Sequence, residues 1–228
     1  MRKETIVVAG GTGKRMGASM PKQFLRLKGT IILMRTLSVF YNFDTSMKLI
    51  LTLPEQEIQT WENLCKQETF NIPHTIVNGG ETRFHSVKNG LKNVAGESLI
   101  AIHDGVRPLI TRKTIREGFQ QAQDKGSAIP YTDVNESMRY VVKGKNMPVN
   151  RERYKIIQTP QVFQSEIVIN AYQTNYRKKF TDDASVVEHA GGKVTLFKGN
   201  PENIKITTKK DLAMAEVLLD FLENQSSE

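Results

Sequence analysis

The segment Thr5–Gly17 reads TIVVAGGTGKRMG, an apolar, β-branched run followed directly by a glycine-rich loop. A short apolar run that ends in glycines is typical of a buried strand leading into a turn. Glycines let backbone N–H groups approach phosphate oxygens closely, and a helix after such a loop points its positive end at them. The segment therefore predicts an α/β protein with an anion-binding loop after its first strand.

The loop fits neither of the two best-known phosphate-binding fingerprints. Val8 stands where a Walker A motif requires its first glycine, and Arg15 replaces the Ser or Thr that holds magnesium. In a dinucleotide fingerprint, Met16 occupies the position of the third glycine, and the second strand ends in Leu53-Pro54 without the ribose-binding acid. Taken alone, the loop indicates either a nucleotide site or a plain strand-to-helix turn, and it disfavours a nicotinamide oxidoreductase.

Strand-like runs alternate with helix-length stretches along the rest of the chain. Strands are predicted at 5–9, 48–53, 75–77, 98–103, 127–131 and 193–197. Helices are predicted at 54–66, 82–91, 165–176 and 209–222, with Ser165 as the cap of the third. This alternation predicts a Rossmann-like three-layer sandwich, in which a mostly parallel sheet has helices on both faces and ligands bind beyond the carboxyl ends of the strands.

The alternation breaks after Tyr131. Residues 138–142 and 147–150 read as two short strands around a turn at 143–146, which predicts an inserted β-hairpin arm at about 134–155. A lone hairpin is marginal in water, so we expect the arm to pack on its own domain or on a second subunit.

Length and composition limit the possible classes of protein. The 228 residues predict a single domain spanning 1–228. No apolar run reaches the roughly 20 residues that cross a bilayer, and the N-terminus does not resemble a signal peptide, so a cytoplasmic protein is expected. The single cysteine, Cys65, excludes an intramolecular disulfide. The net charge of +8 predicts anionic partners without separating nucleic acid from small phosphates.

Several motifs together resemble one family. The glycine loop is followed by PKQF at 21–24, a combination that resembles the nucleotide-sugar pyrophosphorylase-like transferases. Further blocks stand in order along nearly the whole chain: GGETRFHSV at 79–87, HDGVRP at 103–108, QTPQVF at 158–163, TDDAS at 181–185 and NIKIT at 203–207. With these blocks the sequence resembles the 2-C-methyl-D-erythritol 4-phosphate cytidylyltransferase family, which implies a fold of the nucleotide-diphospho-sugar transferase type.

This resemblance implies a site that binds CTP. The nucleotide-binding residues that it implies are Ala9, Gly10, Gly11, Thr12, Gly13, Gly80, Glu81, Arg83, Ser86 and Asp104. The catalytic residues that it implies are Arg15, Lys22 and Lys205, whose charges suit a transition state that spreads negative charge over phosphate oxygens. Asp104 is the implied ligand of Mg²⁺ or another divalent cation that bridges the triphosphate.

The acceptor site follows from the same resemblance. The residues implied for it are Arg107, Ser137, Arg151 and Lys205, which bind a sugar-alcohol phosphate. Four positions depart from the common family pattern: Glu136 and Ser137 replace Asp-Thr, Arg139 replaces Lys, and Asn150 replaces the Asp before Arg151. The similar ribitol-5-phosphate cytidylyltransferases share the main blocks, so methylerythritol phosphate is the expected acceptor while ribitol phosphate stays open.

The resemblance also implies a mechanism and an assembly. The acceptor's phosphate attacks the α-phosphorus of CTP without a general base, so His103 is expected to serve packing or a backbone hydrogen bond. The implied partners are CTP, the acceptor phosphate and a second copy of the chain, joined through the arm, with no nucleic acid and no membrane. The alternative of another class is a non-catalytic nucleotide- or RNA-binding module, which releases no pyrophosphate.

Overall fold

The computed structural model describes residues 1–10 and 20–225. Its strands are β1 (Arg2–Val8), β2 (Arg26–Leu27), β3 (Thr30–Ile31), β4 (Lys48–Leu53), β5 (Thr75–Asn78), β6 (Ser98–Asp104), β7 (Ser127–Asp133), β8 (Arg139–Val142), β9 (Lys145–Pro148), β10 (Lys155–Ile157), β11 (Gln161–Gln164) and β12 (Leu196–Lys198). Its α-helices are α1 (Ile32–Phe43), α2 (Glu55–Gln67), α3 (Arg83–Leu91), α4 (Arg112–Lys125), α5 (Ser165–Ala171), α6 (Asp183–His189) and α7 (Lys209–Gln225). None of the helices within these ranges is long and apolar enough to cross a bilayer.

The main sheet is mostly parallel, as predicted. Its strand order is β10-β7-β11-β6-β1-β4-β5, and β12 pairs with β7. Strand β1 lies between β4 and β6 and is parallel to both, with Ile6 opposite Ile50 and Ile102. Strands β10 and β11 run antiparallel to β7, and β11 is also antiparallel to β6.

Helices cover both faces of this sheet, which confirms the three-layer sandwich. Successive side chains of a strand point to opposite faces. Val7 accordingly belongs to a buried cluster with residues of α1, α2 and α4. Its neighbours Ile6 and Val8 belong to a second cluster with residues of α3, α5 and α6. A third buried cluster contains Leu27, Val106 and Ile206 together with Leu219 of α7.

The carboxyl ends of the central parallel strands meet at one edge. Short backbone hydrogen bonds continue the ladder past those ends: Ala9 N–H donates to Thr52 O at 3.0 Å, and Gly105 N–H donates to Val8 O at 2.9 Å. Because the strands are parallel, the segments that follow β1, β5 and β6 are brought to the same edge. The shared direction of the strands thus places Gly10, just after β1, and Asp104, the last residue of β6, at the same edge.

Several predicted boundaries differ from the structure, and three of the differences concern Ser165, the end of α5 and the start of the late strand. Ser165 does not cap α5; its hydroxyl accepts the N–H of Ser98 at 3.1 Å, and Gln164 is the residue before the helix. Helix α5 ends at Ala171 rather than 176, and the next residue, Tyr172, packs its ring on Phe84. The late strand begins at Leu196 rather than at 193. The Ser127 hydroxyl donates to Lys193 O and accepts from the Thr195 N–H, while Thr195 O accepts from the Ile129 N–H of β7.

The hairpin arm is present, with a tighter turn than predicted. Lys145 pairs directly with Val142, so the turn consists of Lys143 and Gly144 alone. These two residues have φ of 45° and 78°. Positive φ at both central residues is what a two-residue type I′ hairpin turn requires. All eight strand residues of the arm are exposed.

Candidate active site

A cavity of about 250 Å³ opens at the carboxyl edge of the sheet, beside the ends of β1 and β6. We call it the first cavity. Residues that the sequence singled out and that line it are Ala9, Gly10, Lys22, Gly80, Glu81, Arg83, Ser86, Asp104 and Lys205. Val8, Gln23, Thr82 and Val106 complete the lining. The predicted residues Gly11, Thr12, Gly13 and Arg15 lie outside the described residues.

A second cavity of about 270 Å³ adjoins the first. The two share Arg83, Asp104 and Lys205 as a common wall. The other residues of the second cavity are Arg107, Ile157, Gln158, Thr159, Gln161, Thr181 and Asp182. A ligand in either cavity therefore borders the same three charged side chains.

Asp104 is the centre of this common wall and contacts three cations. Its Oδ1 lies 3.1 Å from Arg83 Nε, and its Oδ2 lies 2.9 Å from Lys205 Nζ and 3.3 Å from Arg107 Nε. Burial alone would raise the pKa of this carboxyl, but the three positive charges outweigh burial and hold the pKa far below its usual range. Asp104 is therefore ionised, and the wall as a whole has more positive than negative charge, which suits an anionic ligand.

The local backbone fixes the position of Asp104. It is the last residue of β6, and its N–H donates to the Thr159 hydroxyl at 3.1 Å. A side chain at the following position, Gly105, would place its Cβ 3.0 Å from Leu33 Cδ1 and 3.2 Å from Ala9 Cβ. Glycine at this position thus lets the segment after β6 pass close to β1.

His103 is part of the framework beneath Asp104. The ring is fully buried, its Nε2 lies 3.0 Å from Arg107 O, and its Nδ1 lies 3.1 Å from the Thr159 hydroxyl. A carbonyl oxygen can only accept, so Nε2 carries the proton and Nδ1 accepts from Thr159. Burial lowers the pKa of His103 to about 4, which keeps the ring neutral near pH 7. The expected packing and backbone-bonding role of His103 is confirmed.

Arg83 links two buried carboxylates. Its Nη1 and Nη2 donate to the two oxygens of Asp183, each at 2.8 Å, while its Nε donates to Asp104. Asp183 is fully buried and also accepts from the Tyr172 hydroxyl at 2.6 Å. Burial alone would lower the pKa of Arg83, but Asp183 and Asp104 raise it above its ordinary value. Arg83 is thus a permanently charged brace between the two cavities.

The turn at Gly80 forms the wall of the first cavity opposite β1. Gly80 N–H donates to Ser86 Oγ at 3.1 Å, and that hydroxyl donates to Thr82 O at 3.1 Å. A Cβ on Gly80 would lie 2.4 Å from the Cβ of His85, so only glycine fits. The side chain of Thr82 accepts from the His85 N–H and begins α3. These bonds make the turn a rigid surface of backbone groups.

Lys22 and Gln23 lie in a short 3-10 turn at 22–24. The buried Gln23 donates from Nε2 to Ala9 O at 3.0 Å, which ties this turn to the end of β1. Lys205 reaches the same wall from the other side, where the N–H of the buried Ile206 donates to Val106 O at 3.0 Å. Two separate hydrogen bonds therefore hold the segments that carry Lys22 and Lys205, and both lysines line the first cavity.

The predicted acceptor residues are only partly brought together. Arg107 lines the second cavity, and its Nη1 donates to Asn203 O at 2.8 Å. Ser137 is exposed in the segment before β8, and Arg151 is exposed after β9, where its guanidinium donates to Asn135 O. Neither Ser137 nor Arg151 lines the two cavities described above.

Several residues of the site had no role assigned from the sequence. Thr159, Thr181, Asp182 and Asp183 stand in the QTPQVF and TDDAS blocks, whose presence marked the family but not the function of each side chain. Tyr172 belongs to no quoted block, so only its position in the fold reveals its contact with Asp183. Motif signals were available for the first four residues and absent for Tyr172.

On the common wall of the two cavities, the group suited to a divalent cation is the carboxylate of Asp104, not a cage of several ligands. Among the described residues, no group of three or more His, Cys, Asp or Glu side chains is placed to hold a metal. Mg²⁺ typically binds one or two protein carboxylates together with phosphate oxygens and water. Asp104, ionised and facing both cavities, fits that donor set when a phosphate ligand supplies the remaining oxygens.

Known proteins with similar sequences cover nearly the whole chain. Residues 4–221 match the family model described as 2-C-methyl-D-erythritol 4-phosphate cytidylyltransferase. Proteins of that name from Phocaeicola vulgatus and Bacteroides fragilis are 51% and 48% identical to this chain over 219 residues, covering 96% of it and 100% of each relative. The crystal structure of the Francisella tularensis protein of that name has a TM-score of 0.79 and 27% identity, covering 96% of this chain and 100% of the other. With a match of this extent added to the site geometry, the chain belongs to the 2-C-methyl-D-erythritol 4-phosphate cytidylyltransferase family.

Proposed function

We propose that the chain transfers the CMP group of CTP to 2-C-methyl-D-erythritol 4-phosphate and releases pyrophosphate, a step of non-mevalonate isoprenoid-precursor synthesis. The product is 4-diphosphocytidyl-2-C-methyl-D-erythritol. The observation that carries this proposal is the common wall of the two cavities, formed by Arg83, Asp104 and Lys205. CTP occupies the first cavity and the acceptor the second, so the α-phosphate of CTP and the phosphate of the acceptor meet at that wall. The whole chain, with its arm at 134–155, serves as one nucleotidyltransferase domain.

The first cavity suits a nucleotide. The turn at Gly80, with Glu81 and Ser86, faces the cytosine ring with fixed polar groups, which disfavours a base whose edge leaves a buried group unpaired. The ribose and phosphates lie along Ala9 and Gly10 and the glycine loop that follows, Gly11 to Gly13.

The reaction is an in-line displacement at the α-phosphorus of CTP. A bond forms between that phosphorus and an oxygen of the acceptor phosphate, and the bond to the bridging oxygen of the β-phosphate breaks. The electron pair leaves with pyrophosphate. The acceptor phosphate is largely ionised near pH 7, so no proton has to be removed from it. His103 is not a base for this step, because it is buried and both of its ring nitrogens are already bonded. Nε2 bonds to Arg107 O, and Nδ1 bonds to the Thr159 hydroxyl.

The cations of the site neutralise charge that develops on the phosphate oxygens. Lys22 lines the first cavity, and Lys205 lines both. Arg15 of the glycine loop is the third catalytic cation. Groups held in place before the reaction stabilise developing charge without reorganising, which is the largest catalytic effect in phosphoryl-type transfers.

Asp104 is the residue that holds Mg²⁺ or another divalent cation. A divalent cation held there would supply positive charge to neutralise the triphosphate. The three cations around Asp104 hold the pKa of its carboxyl far below its usual range, so the carboxylate is ionised near pH 7.

The acceptor is bound by Arg107 and Lys205 in the second cavity, together with Ser137 and Arg151 of a second subunit. Within one chain these last two lie outside the cavities, and the arm exposes Tyr140, Val141 and Met147 by 53%, 67% and 53%. Apolar side chains exposed on a two-stranded hairpin favour packing on another surface. A homodimer joined through the arm satisfies both observations.

The setting of the reaction follows from the substrates. Both are small water-soluble phosphates, and cations suited to recognising them line the two cavities. The enzyme therefore works in the cytoplasm, without nucleic acid or a membrane as partner.

Pyrophosphate release tests this function directly. The purified protein is incubated with CTP and Mg²⁺, and with 2-C-methyl-D-erythritol 4-phosphate, ribitol 5-phosphate or no acceptor. We expect release with the first acceptor and loss of release in Asp104→Asn. Faster turnover with ribitol 5-phosphate would reassign the acceptor, and CTP or RNA binding without pyrophosphate release under any condition would contradict an enzyme.

A further inference from the structure

Asp183 and Tyr172 form a buried pair behind the common wall of the two cavities. Both are almost completely inaccessible, with 0% and 2% of their surface exposed. The Tyr172 hydroxyl donates to Asp183 Oδ1 at 2.6 Å, the same oxygen that accepts from Arg83 Nη1. Neither side chain lines the first or the second cavity, so neither touches a substrate placed there.

The sequence places Asp183 in this interior position through its neighbour. Asp182 caps α6: its side chain accepts from the N–H of Ser185, and Ser185 returns a bond to the Asp182 backbone. Asp182 is therefore the N-cap of α6. Asp183, the first residue of the helix, is left to accept from Arg83 with both carboxylate oxygens. Two consecutive aspartates thus have separate tasks.

The charge of Asp183 decides how Arg83 contacts Asp104. Both terminal nitrogens of Arg83 bond to Asp183, so only Nε is left to bond to Asp104 Oδ1. A guanidinium without this partner would turn its fork to the nearest carboxylate and pair with both oxygens. The nearest one is Asp104, whose Oδ2 already accepts from Lys205 and Arg107.

Tyr172 supports this arrangement from behind. Burial and the neighbouring Asp183 charge raise the pKa of Tyr172 well above its ordinary value, so its hydroxyl keeps its proton and donates. The ring stacks on Phe84 with the centroids 4.8 Å apart, which fixes the direction of that hydroxyl. Phe84 directly follows Arg83 in α3. One helix therefore carries both Arg83 and the ring that stacks on Tyr172, whose hydroxyl bonds to Asp183.

From these contacts we infer that Asp183, oriented by Tyr172, is a positioning residue that holds both terminal nitrogens of Arg83. Asp104 Oδ1 then accepts only the bond from Arg83 Nε and keeps a lone pair for a further ligand. This inference rests on the proposed function, in which Asp104 binds the divalent cation that accompanies CTP. Partners behind a ligating side chain commonly change metal affinity or activity about 10- to 100-fold when they are removed.

The test compares Asp183→Asn and Tyr172→Phe with Tyr176→Phe as the matched control. Asparagine keeps the size of Asp183 and removes its charge, and Tyr172→Phe keeps the stacked ring and removes only the hydroxyl. Tyr176 also packs on Phe84, at 5.8 Å between centroids, but its hydroxyl bonds to no residue within the described ranges. Thermal unfolding of each variant shows that the protein under study is folded.

The decisive measurement is CTP binding by titration calorimetry, with Mg²⁺ and with EDTA, in the absence of acceptor. For Asp183→Asn we expect CTP affinity with Mg²⁺ to fall about 10- to 100-fold. With EDTA the affinity is unchanged or higher, because one negative charge has been removed beside the triphosphate. Tyr172→Phe shows a smaller loss of the same kind, and Tyr176→Phe shows none. The kcat for pyrophosphate release falls in the same order.

Each other outcome contradicts a specific part of the argument. Equal weakening with Mg²⁺ and with EDTA indicates a merely structural role for Asp183 and overturns the inference, as does unchanged Mg²⁺-dependent binding in both variants. If Asp183→Asn does not fold, Tyr172→Phe alone decides between these results. Wild-type protein that transfers CMP but binds CTP equally with and without Mg²⁺ overturns the inference while leaving the transfer intact. Wild-type protein without transfer contradicts the proposed function itself.

Discussion

The ammonium group of Lys205 lies 2.9 Å from Oδ2 of Asp104, and the pair forms part of the wall between the two cavities. Lys205 lies between two buried residues, Asn203 two positions before it and Ile206 directly after it. The Asn203 side chain donates to Thr159 O at 2.7 Å. The lysine is therefore held at a fixed point although 41% of its side chain is exposed. A cation fixed between the two cavities can neutralise negative charge on ligands in both of them at once.

Replacing Lys205 by alanine should lower kcat for pyrophosphate release on the order of 10²- to 10³-fold, because one oriented charge is lost from the transition state. Steady-state kinetics with both substrates measure this loss. Lys210→Ala, at an exposed position in α7, is the control and should retain wild-type turnover. A kcat for Lys205→Ala equal to that of the control would remove Lys205 from the mechanism.

Lys22→Ala and Arg15→Ala should each reduce kcat by a similar factor, on the order of 10²- to 10³-fold, and leave the fold intact. Lys22 lines the first cavity, and Arg15 follows from its motif. Single-turnover measurements at saturating CTP separate the chemical step from binding, and circular dichroism verifies the fold. Near-wild-type rates in both variants would contradict the assignment of the two cations to catalysis.

Complementation between two inactive variants tests the shared acceptor site. If Arg151 acts in the neighbouring subunit, mixing Arg151→Ala with Lys22→Ala under subunit exchange should restore about a quarter of wild-type activity, since half of the dimers are mixed and each contains one intact site. Each variant incubated alone provides the baseline. An exchanged mixture that is no more active than this baseline would place Arg151 and Lys22 in the same chain's site.

The free energy of unfolding of the protein should depend on pH through His74. Trp61 donates its indole N–H to His74 Nε2 at 2.9 Å, and His74 Nδ1 lies 2.7 Å from Ile72 O. Burial lowers the pKa of His74 below its ordinary value of 6.5. The unfolded chain therefore binds a proton first as the pH falls, so the stability that neutral His74 provides is complete above about pH 6.5 and decreases below it.

Urea unfolding at pH 7.5 and pH 5.5, followed by circular dichroism, measures this effect. Wild-type protein should lose more free energy of unfolding between the two pH values than His74→Gln, whose amide oxygen can still accept from Trp61 but cannot titrate. The fluorescence of Trp61, the single tryptophan, offers an independent signal in the wild type. Equal losses in the two proteins would show that His74 does not contribute.

Close packing of α3 on the sheet should make Gly90→Ala destabilising by about 1 to 3 kcal/mol. A Cβ at this position would lie 2.8 Å from Ile6 Cγ2 and 3.2 Å from Thr52 Cγ2, both on buried strands. Gly118→Ala in α4 is the comparison, because its nearest contact is longer, 3.2 Å to Val162 Cγ2. Denaturant unfolding should rank Gly90→Ala below Gly118→Ala in stability, and the reverse order would contradict the packing argument.

The arm and α5 show where sequence patterns were sufficient and where they were not. The hairpin was predictable because Gly144 supplies a turn conformation that few other residues adopt, and the strands flank it directly. Ser165 looks like a helix cap in sequence, yet its hydroxyl bonds to Ser98 of a neighbouring strand. A capping signal is local, and it is overridden when a distant backbone N–H lies within reach of the same hydroxyl.

The sequence by itself determined the alternation of strands and helices, the inserted arm, the glycine loop and the main candidates for the site, including Lys22, Asp104 and Lys205. It did not predict the helices α1, α4 and α6 or the antiparallel strands β10 and β11. Periodicity and turn chemistry are local properties, and the family blocks name individual positions. Only the tertiary structure decided that Arg83 joins Asp104 to Asp183, that Tyr172 orients Asp183, and that two cavities share one wall. Those contacts depend on which strands are neighbours and on how α3 and α6 pack on them, and no local pattern encodes the distance between side chains so far apart in the chain.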